Sequence, residues 1–457
     1  MARLPSRLEA DSSSSSSKNP VGDFEEPPSQ FIRMLLQYFL PHASQLGFFL
    51  DPDRFYDRAL LPLQFGDPHR PSPGLLCVVY LWGIHFSKGT SPPGFSEPDL
   101  LHRSRQYISL EISSPVHIEQ TIQAQILLGT YLFRNKSLLQ AELHSSGAAT
   151  AILGYRLHQI RSARASTNIF GPLSGSLPKD AVEEGERIRG FWAVTFLQTS
   201  LCLTFNENRP FCVLESLGPD IDTPWPLEIA DYHAGVLPSD YLGQQSIKHL
   251  LLDDSFPASP VCMLQAKASV FLYHVLRLPP GEPPVMVSPK MTSYSWLDTR
   301  ISQFWQSLPP LHVFSSTADP SGSRSLALAH ALIAAAAIKL HQRATASVAA
   351  HAQAKSVSAA CGILECLRAR EGLTVHPVVG ALCALACGVL MVEVRTVRGF
   401  REAWSASMGT PMTPPTSEEN DLVVGIRDGL ATMAVYCKES SLMAQQFKLV
   451  QEQFESM

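Results

Sequence analysis

The sequence predicts an all-α fold, a large multi-helix domain of packed helical hairpins. Three observations carry this. Apolar residues recur at three- and four-residue spacing in one segment after another, the period that lines one face of a helix. No stretch keeps the two-residue alternation of a strand, and Val392-Glu393-Val394-Arg395 is too brief to count as one. The 457 residues are 45% hydrophobic and only 17% charged, which supplies a sizeable core for one large helical domain or two smaller ones.

Residues 1–29 read as a disordered tail, with the run Ser12 to Ser17 and the dipeptide Pro27-Pro28. From Gln30 the spacing of Phe31, Met34, Leu35, Tyr38 and Phe39 predicts a helix stopped at Pro41, then a short apolar turn to Phe49. Pro73 to Phe86 is almost wholly apolar and predicts a helix buried on all sides. Leu100 to Glu111 leads into a hairpin made by Pro115 to Phe133 and Leu138 to Ile160. Its second arm carries the small residues Gly147, Ala148, Ala151 and Gly154. Such a stripe lets helix backbones approach, which offsets the propensity lost at each Gly, about 1 kcal/mol. Ala163 to Ala181 reads as a Gly/Pro/Ser loop.

The helix from Glu183 to about Phe205 organises the rest. Ile188, Phe191, Trp192, Thr195, Thr199 and Leu203 fall on one face. Glu183 with Arg187 and Glu186 with Arg189 sit at i,i+4 and i,i+3. This predicts a solvated ion-pair face contributing about 0.2–0.5 kcal/mol per pair. Asn206 to Pro210 reads as a turn, because Asn tolerates the left-handed conformation and Pro cannot continue a helix. Asp222-Thr223-Pro224-Trp225-Pro226 must then be extended, since Pro fixes its own φ and restricts the residue before it.

Further on, residues 233–246 read as loop. Helices are predicted over Ser259–Leu278, Ser295–Leu308, Ser325–Arg343, Ala346–Arg370 and His376–Arg395, with a Pro-rich break at Pro279–Pro289. Leu373 to Val392 is long enough to span a bilayer, but its Ala, Gly and Cys content and His376-Pro377 fit a buried core helix better. Residues 401–457 read as a linker, Pro411 to Asn420, and one last amphipathic helix from Asp421 to about Phe454.

The block around the organising helix resembles the signature of the fungal-specific transcription factor domain, the regulatory middle region of fungal zinc-cluster transcription factors. The matching residues are Glu186-Arg187, the step Arg189-Gly190-Phe191-Trp192, the turn Asn208-Arg209-Pro210 and the exit Asp222 to Pro226 with Pro224. Asn208 stands where that family usually has Gly. The resemblance covers residues 30–400 as an order of helices and is strongest over 117–227. It implies a helical regulatory domain controlling RNA polymerase II transcription in the nucleus, through intramolecular contacts, co-regulators or a small effector.

No cysteine pair has C-x2-C spacing, so a binuclear zinc cluster cannot be built locally from this chain. No metal or cofactor is therefore expected in it; zinc is expected only with an N-terminal cluster missing from this sequence. The chain has no Lys/Arg run, and its formal net charge is −5. DNA is thus expected to be reached through that missing cluster or through a partner factor, and no membrane partner is expected.

No G-x-S-x-G, Walker loop, G-x-G-x-x-G or H-E-x-x-H occurs, so no catalytic residue is assigned. The alternative from a different class is a helical enzyme or small-ligand-binding protein of secondary metabolism. Arg189 and Arg209 fit either of two roles, contact with an anionic effector or pairing with carboxylates such as Asp222. Phe191 and Trp192 fit the core better than a stacking platform, and Cys383 and Cys387 fit the core better than a metal site. Arg156, Arg161 and Arg164 read as a solvated face.

Overall fold

In the computed structural model the described residues are 24–87, 95–113, 117–162, 177–205, 221–235, 237, 241–243, 245–252, 256–278, 294–311, 320–344, 349–368, 376–409, 411 and 414–457. They form sixteen α-helices, and the sole β-type pairing among them is an isolated bridge between Ser162 and Gly243. The fold is all-α, as the periodicity predicts.

The first helices are set by their caps. α1 (Ser29–Phe39) runs into a 3-10 turn, Leu40–Leu46, which ends at Gly47 with φ of 85°. Only glycine adopts that conformation at no steric cost. α2 (Pro52–Ala59) starts on Asp51, whose carboxylate accepts from the amides of Asp53 and Arg54, with Pro52 at the first helical position. α3 (Pro73–Phe86) starts on Ser72 in the same way and is buried nearly all round. α4 (Glu97–Ser113) packs along it. α5 (Ile118–Arg134) and α6 (Leu138–Gly154) form the predicted hairpin.

α7 (Ala181–Thr204) starts on Asp180, whose Oδ1 accepts from Glu183 N at 2.9 Å. It packs on α5 and α6 on one side, and on α10 (Val261–Leu276) and α14 (Val378–Met408) on the other. The sequence predicts one apolar face; instead the helix is enclosed all round from Gly190 to Leu203, apart from Ala193. Its opening turns also differ from the predicted solvated ion-pair face. Arg187 is tucked between Glu183 at 3.0 Å and Glu119 of α5 at 3.1 Å. Glu186 accepts from Asp51 N at 2.8 Å and makes no pair with Arg189. A helix at the centre of a bundle meets partners on every side: the local Glu183–Arg187 pair forms but is shared with Glu119, and Glu186 takes a long-range donor in place of Arg189.

Residues 229–234 and 246–252, inside or beside the predicted loop, form the short helices α8 (Ile229–Ala234) and α9 (Ser246–Leu252). α11 (Tyr294–Ser307), α12 (Pro320–His341) and α13 (Ala349–Cys366) complete the second half with α10 and α14. Two helical stretches, Gly322–His341 and Val378–Met408, are long and apolar enough to cross a membrane. The apolar window of each is 67% buried inside the bundle, the packing of core helices. Cys383 and Cys387 are fully enclosed there.

The predicted last helix is two: α15 (Ser417–Cys437) and α16 (Ser441–Glu455). The break has a local cause, since Ser440 turns extended and its hydroxyl accepts from Met443 N to cap α16. It also has a distant one. Arg134 at the end of α5 is 2% exposed; its Nε donates to the Glu439 carbonyl at 2.7 Å and its Nη2 to the Glu439 carboxylate at 3.1 Å. Ser440 Oγ donates back to the Arg134 carbonyl at 3.0 Å. The C-terminal helices thereby pack on α14 and on α5, closing a ring α5–α7–α14–α16.

Candidate functional site

The exit segment 221–227 is extended, as Pro224 and Pro226 dictate, and it runs through the core. A proline supplies no N–H, so a buried stretch of this kind presents mainly carbonyls, and each needs a donor. Four side chains from different parts of the chain supply the donors. Ser246 Oγ donates to Thr223 O at 2.5 Å, and Trp192 Nε1 to Pro224 O at 2.8 Å. Tyr241 Oη donates to Trp225 O at 2.8 Å, and Cys262 Sγ to Pro226 O at 3.4 Å. The Thr223 hydroxyl in turn donates to Leu157 O at 2.6 Å.

Each signature residue can then be placed. Phe191 is fully buried, and Trp192 is 3% exposed with its ring stacked on Trp225 at 4.2 Å between centroids. Asp222 is buried; it accepts from the Ser162 hydroxyl and from Gln245 N, the latter at 2.7 Å, and its own N–H donates to His158 O. It is thus satisfied without an arginine, which removes it as the partner of Arg189. Asn208, Arg209 and Pro210 lie outside the described residues, as does Arg164. Arg161 is not part of a solvated face: it grips Glu184 with Nε and Nη2 at 2.9 and 2.8 Å, and its Nη1 donates to Tyr241 O.

Arg189 is not paired in this way. Its Nη1 is buried and makes no hydrogen bond, and the residue has no ion pair among the described residues. It lines a half-open cleft of about 110 Å³. One wall is α7, through Trp192, Ala193 and Phe196; facing it are Phe48 and Phe49, with Cys262, Gln265 and Ala266 of α10 at the side. The Phe49 wall is held from α5: Gln123 Oε1 accepts from Phe49 N at 2.6 Å, and its Nε2 donates to Gly47 O at 3.1 Å. Burial pushes the Cys262 thiol well above its ordinary pKa, Glu228 adds to this, and the Arg189 charge opposes it. Glu228 is engaged elsewhere, accepting from Cys262 N at 3.3 Å. Among the described residues the cleft is therefore a mainly apolar, aromatic-walled recess, lined also by Ser44, Gln45 and Gln265, with one cation.

A second cavity, about 570 Å³, lies between α12, α13 and α14 and is lined by His341, Gln353, Ser356, Gly388, Val389 and Val392, among others. Nothing in the spacing of the sequence pointed to it. His341 Nδ1 and the Tyr294 hydroxyl share a hydrogen bond of 2.7 Å, its Nε2 lies 3.5 Å from Asp298, and Lys355 pairs with the same carboxylate at 2.6 Å. Burial lowers the His341 pKa, against the raising effect of Asp298. Among the described residues no group of three His, Cys, Asp or Glu side chains is placed to hold a metal.

Fold and site together define a class, an all-α multi-helix protein with an unpaired arginine in an apolar cleft beside its central helix. Comparison with protein families, curated proteins and solved structures finds no match to this chain.

Proposed function

We propose that this chain is the helical regulatory domain of a transcription regulator of the fungal zinc-cluster type, working in the nucleus and without catalytic activity of its own. The observation that carries this reading is the meeting of the two ends of the signature block. Trp192 of the Arg-x-Phe-Trp step and Pro224 of the exit are 32 residues apart and hydrogen-bonded, and Trp225 stacks between them and α10. The domain responds to co-regulators or a small effector, and DNA is reached through a zinc cluster outside this chain or through a partner factor. The test is to fuse the chain to an unrelated DNA-binding domain and read a reporter in a fungal host. Altered output relative to the DNA-binding domain alone is expected, and equal output would sink the proposal. In a mobility-shift assay at near-physiological salt the chain alone should show no preference for one DNA sequence over competitor.

A second reading, a helical enzyme or small-ligand-binding protein of secondary metabolism, draws on the 570 Å³ cavity and the Tyr294–His341–Asp298–Lys355 cluster beside it. Cavities of about 300–1,000 Å³ with few polar groups are the usual size for small-molecule sites. Turnover assays on wild type and His341→Gln separate the readings: turnover lost in the variant supports the second, and no turnover supports the first.

A further inference from the structure

A guanidinium is always protonated and offers five donors, and a buried donor left unpaired is among the costlier features a fold retains. Arg189 is such a case. The carbonyls of Thr223, Pro224, Trp225 and Pro226 on the exit segment are all paired, whereas Arg189 Nη1 is buried without a partner. Asp222 and Glu228 are both engaged elsewhere. We propose that the cleft beside α7 binds a small monocarboxylate, its carboxylate on Arg189 and its apolar body against Phe48, Phe49, Trp192 and Phe196.

The chemistry of the lining selects that class. Among the described residues Arg189 is the sole cation lining the cleft, so one negative charge is matched and a phosphate dianion would be left half neutralised. The planar fork of the guanidinium fits a carboxylate, and the neighbouring Gln265 amide supplies a further donor. Apart from Ser44 and Gln45, the rest of the described wall is aromatic, aliphatic or small, which disfavours a polyhydroxylated body. A volume of about 110 Å³ is somewhat below the ~150 Å³ cavity that takes up benzene, and the cleft is open on one side. A short branched chain or a single aromatic ring fits. Binding at this site stands on the cleft alone; its role as the effector site rests on the regulatory reading proposed above.

The experiment is titration calorimetry on the full chain with benzoate and 4-methylpentanoate, against the matching amides and inorganic phosphate. Saturable binding of the acids is expected, with the amides about tenfold weaker or worse. Arg189→Gln should abolish acid binding while the unliganded protein melts at the same temperature or higher, because an unpaired buried donor has been removed. Ala193→Leu, which fills the cleft and leaves the charge, should abolish it too. Amides binding as well as acids, undiminished binding by Arg189→Gln, or no saturable heat from any acid overturns the site. Acid binding that leaves the fusion reporter unchanged overturns the regulatory reading and leaves the site standing.

Discussion

The indole of Trp192 lies flat on that of Trp225, 4.2 Å between ring centroids, while its Nε1 donates to the carbonyl of the intervening Pro224 at 2.8 Å. One side chain thus does two jobs, filling the core between α7 and the exit segment and satisfying a proline-flanked carbonyl. The two separate by mutation. Trp192→Ala should cost about 3–5 kcal/mol through lost burial and a cavity. Trp192→Phe keeps most of the packing but strands the Pro224 carbonyl, and should cost about 1–3 kcal/mol. Urea unfolding of both variants checks this; an unchanged midpoint for Trp192→Ala would contradict the burial.

Gly185 of α7 is occupied in effect by its neighbour, since a Cβ there would lie 2.5 Å from the Tyr232 ring. That ring cannot retreat, because its hydroxyl is held by Tyr241 at 2.7 Å and by Leu227 N at 3.1 Å. Gly185→Ala should therefore destabilise by about 1–3 kcal/mol despite alanine's better helix propensity. Gly399 of α14 is the control, with nothing within 4 Å of its Cβ position. Gly399→Ala should stabilise by about 0.5–1 kcal/mol. Thermal melts of the pair should move in opposite directions.

Glu186 gives a pH signature. Burial, helped by the nearby charges of Asp51 and Glu119, pushes its carboxyl up to about 7 against the hydrogen bond from Asp51 N. The folded state then holds a proton that the unfolded chain has released from about pH 4.5. Stability contributed by this group is full below pH 4.5 and is lost as pH rises to 7. Glu186→Gln should be near-neutral at pH 4 and stabilising by about 1–2 kcal/mol at pH 8, less than the full shift implies because the group is partly solvated. Equal effects at both pH values would show the carboxyl to be ordinary.

What could be read from the chain was whatever leaves a local pattern. The order of helices, the buried α3, the enclosed Phe191 and Trp192 and the extended Pro224–Pro226 exit all follow from spacing and proline geometry. What could not be read depends on partners distant in sequence. Arg187 finds Glu119, Glu186 finds Asp51, and Arg161 finds Glu184, so charges that look solvated along one helix are spent between elements. The unpaired state of Arg189 is a matter of what fails to reach it, which no spacing encodes. Tyr294, Asp298, His341 and Lys355 come from three helices and meet only in space.

The Arg134–Glu439 latch has a consequence for how the molecule is made. Arg134 ends the fifth helix, yet the partners that neutralise it stand 305 residues later. A chain leaving the ribosome exposes the socket of α5 long before its plug exists, and contacts so far apart in sequence are slow to close. The first half of the protein is therefore synthesised before the Glu439 carboxylate that pairs with Arg134. A stop codon after Cys437 would remove the plug along with α16, and the damage would appear at the opposite end of the sequence. Limited proteolysis of such a truncated chain should open the α5–α6 hairpin first, while the full-length chain resists there.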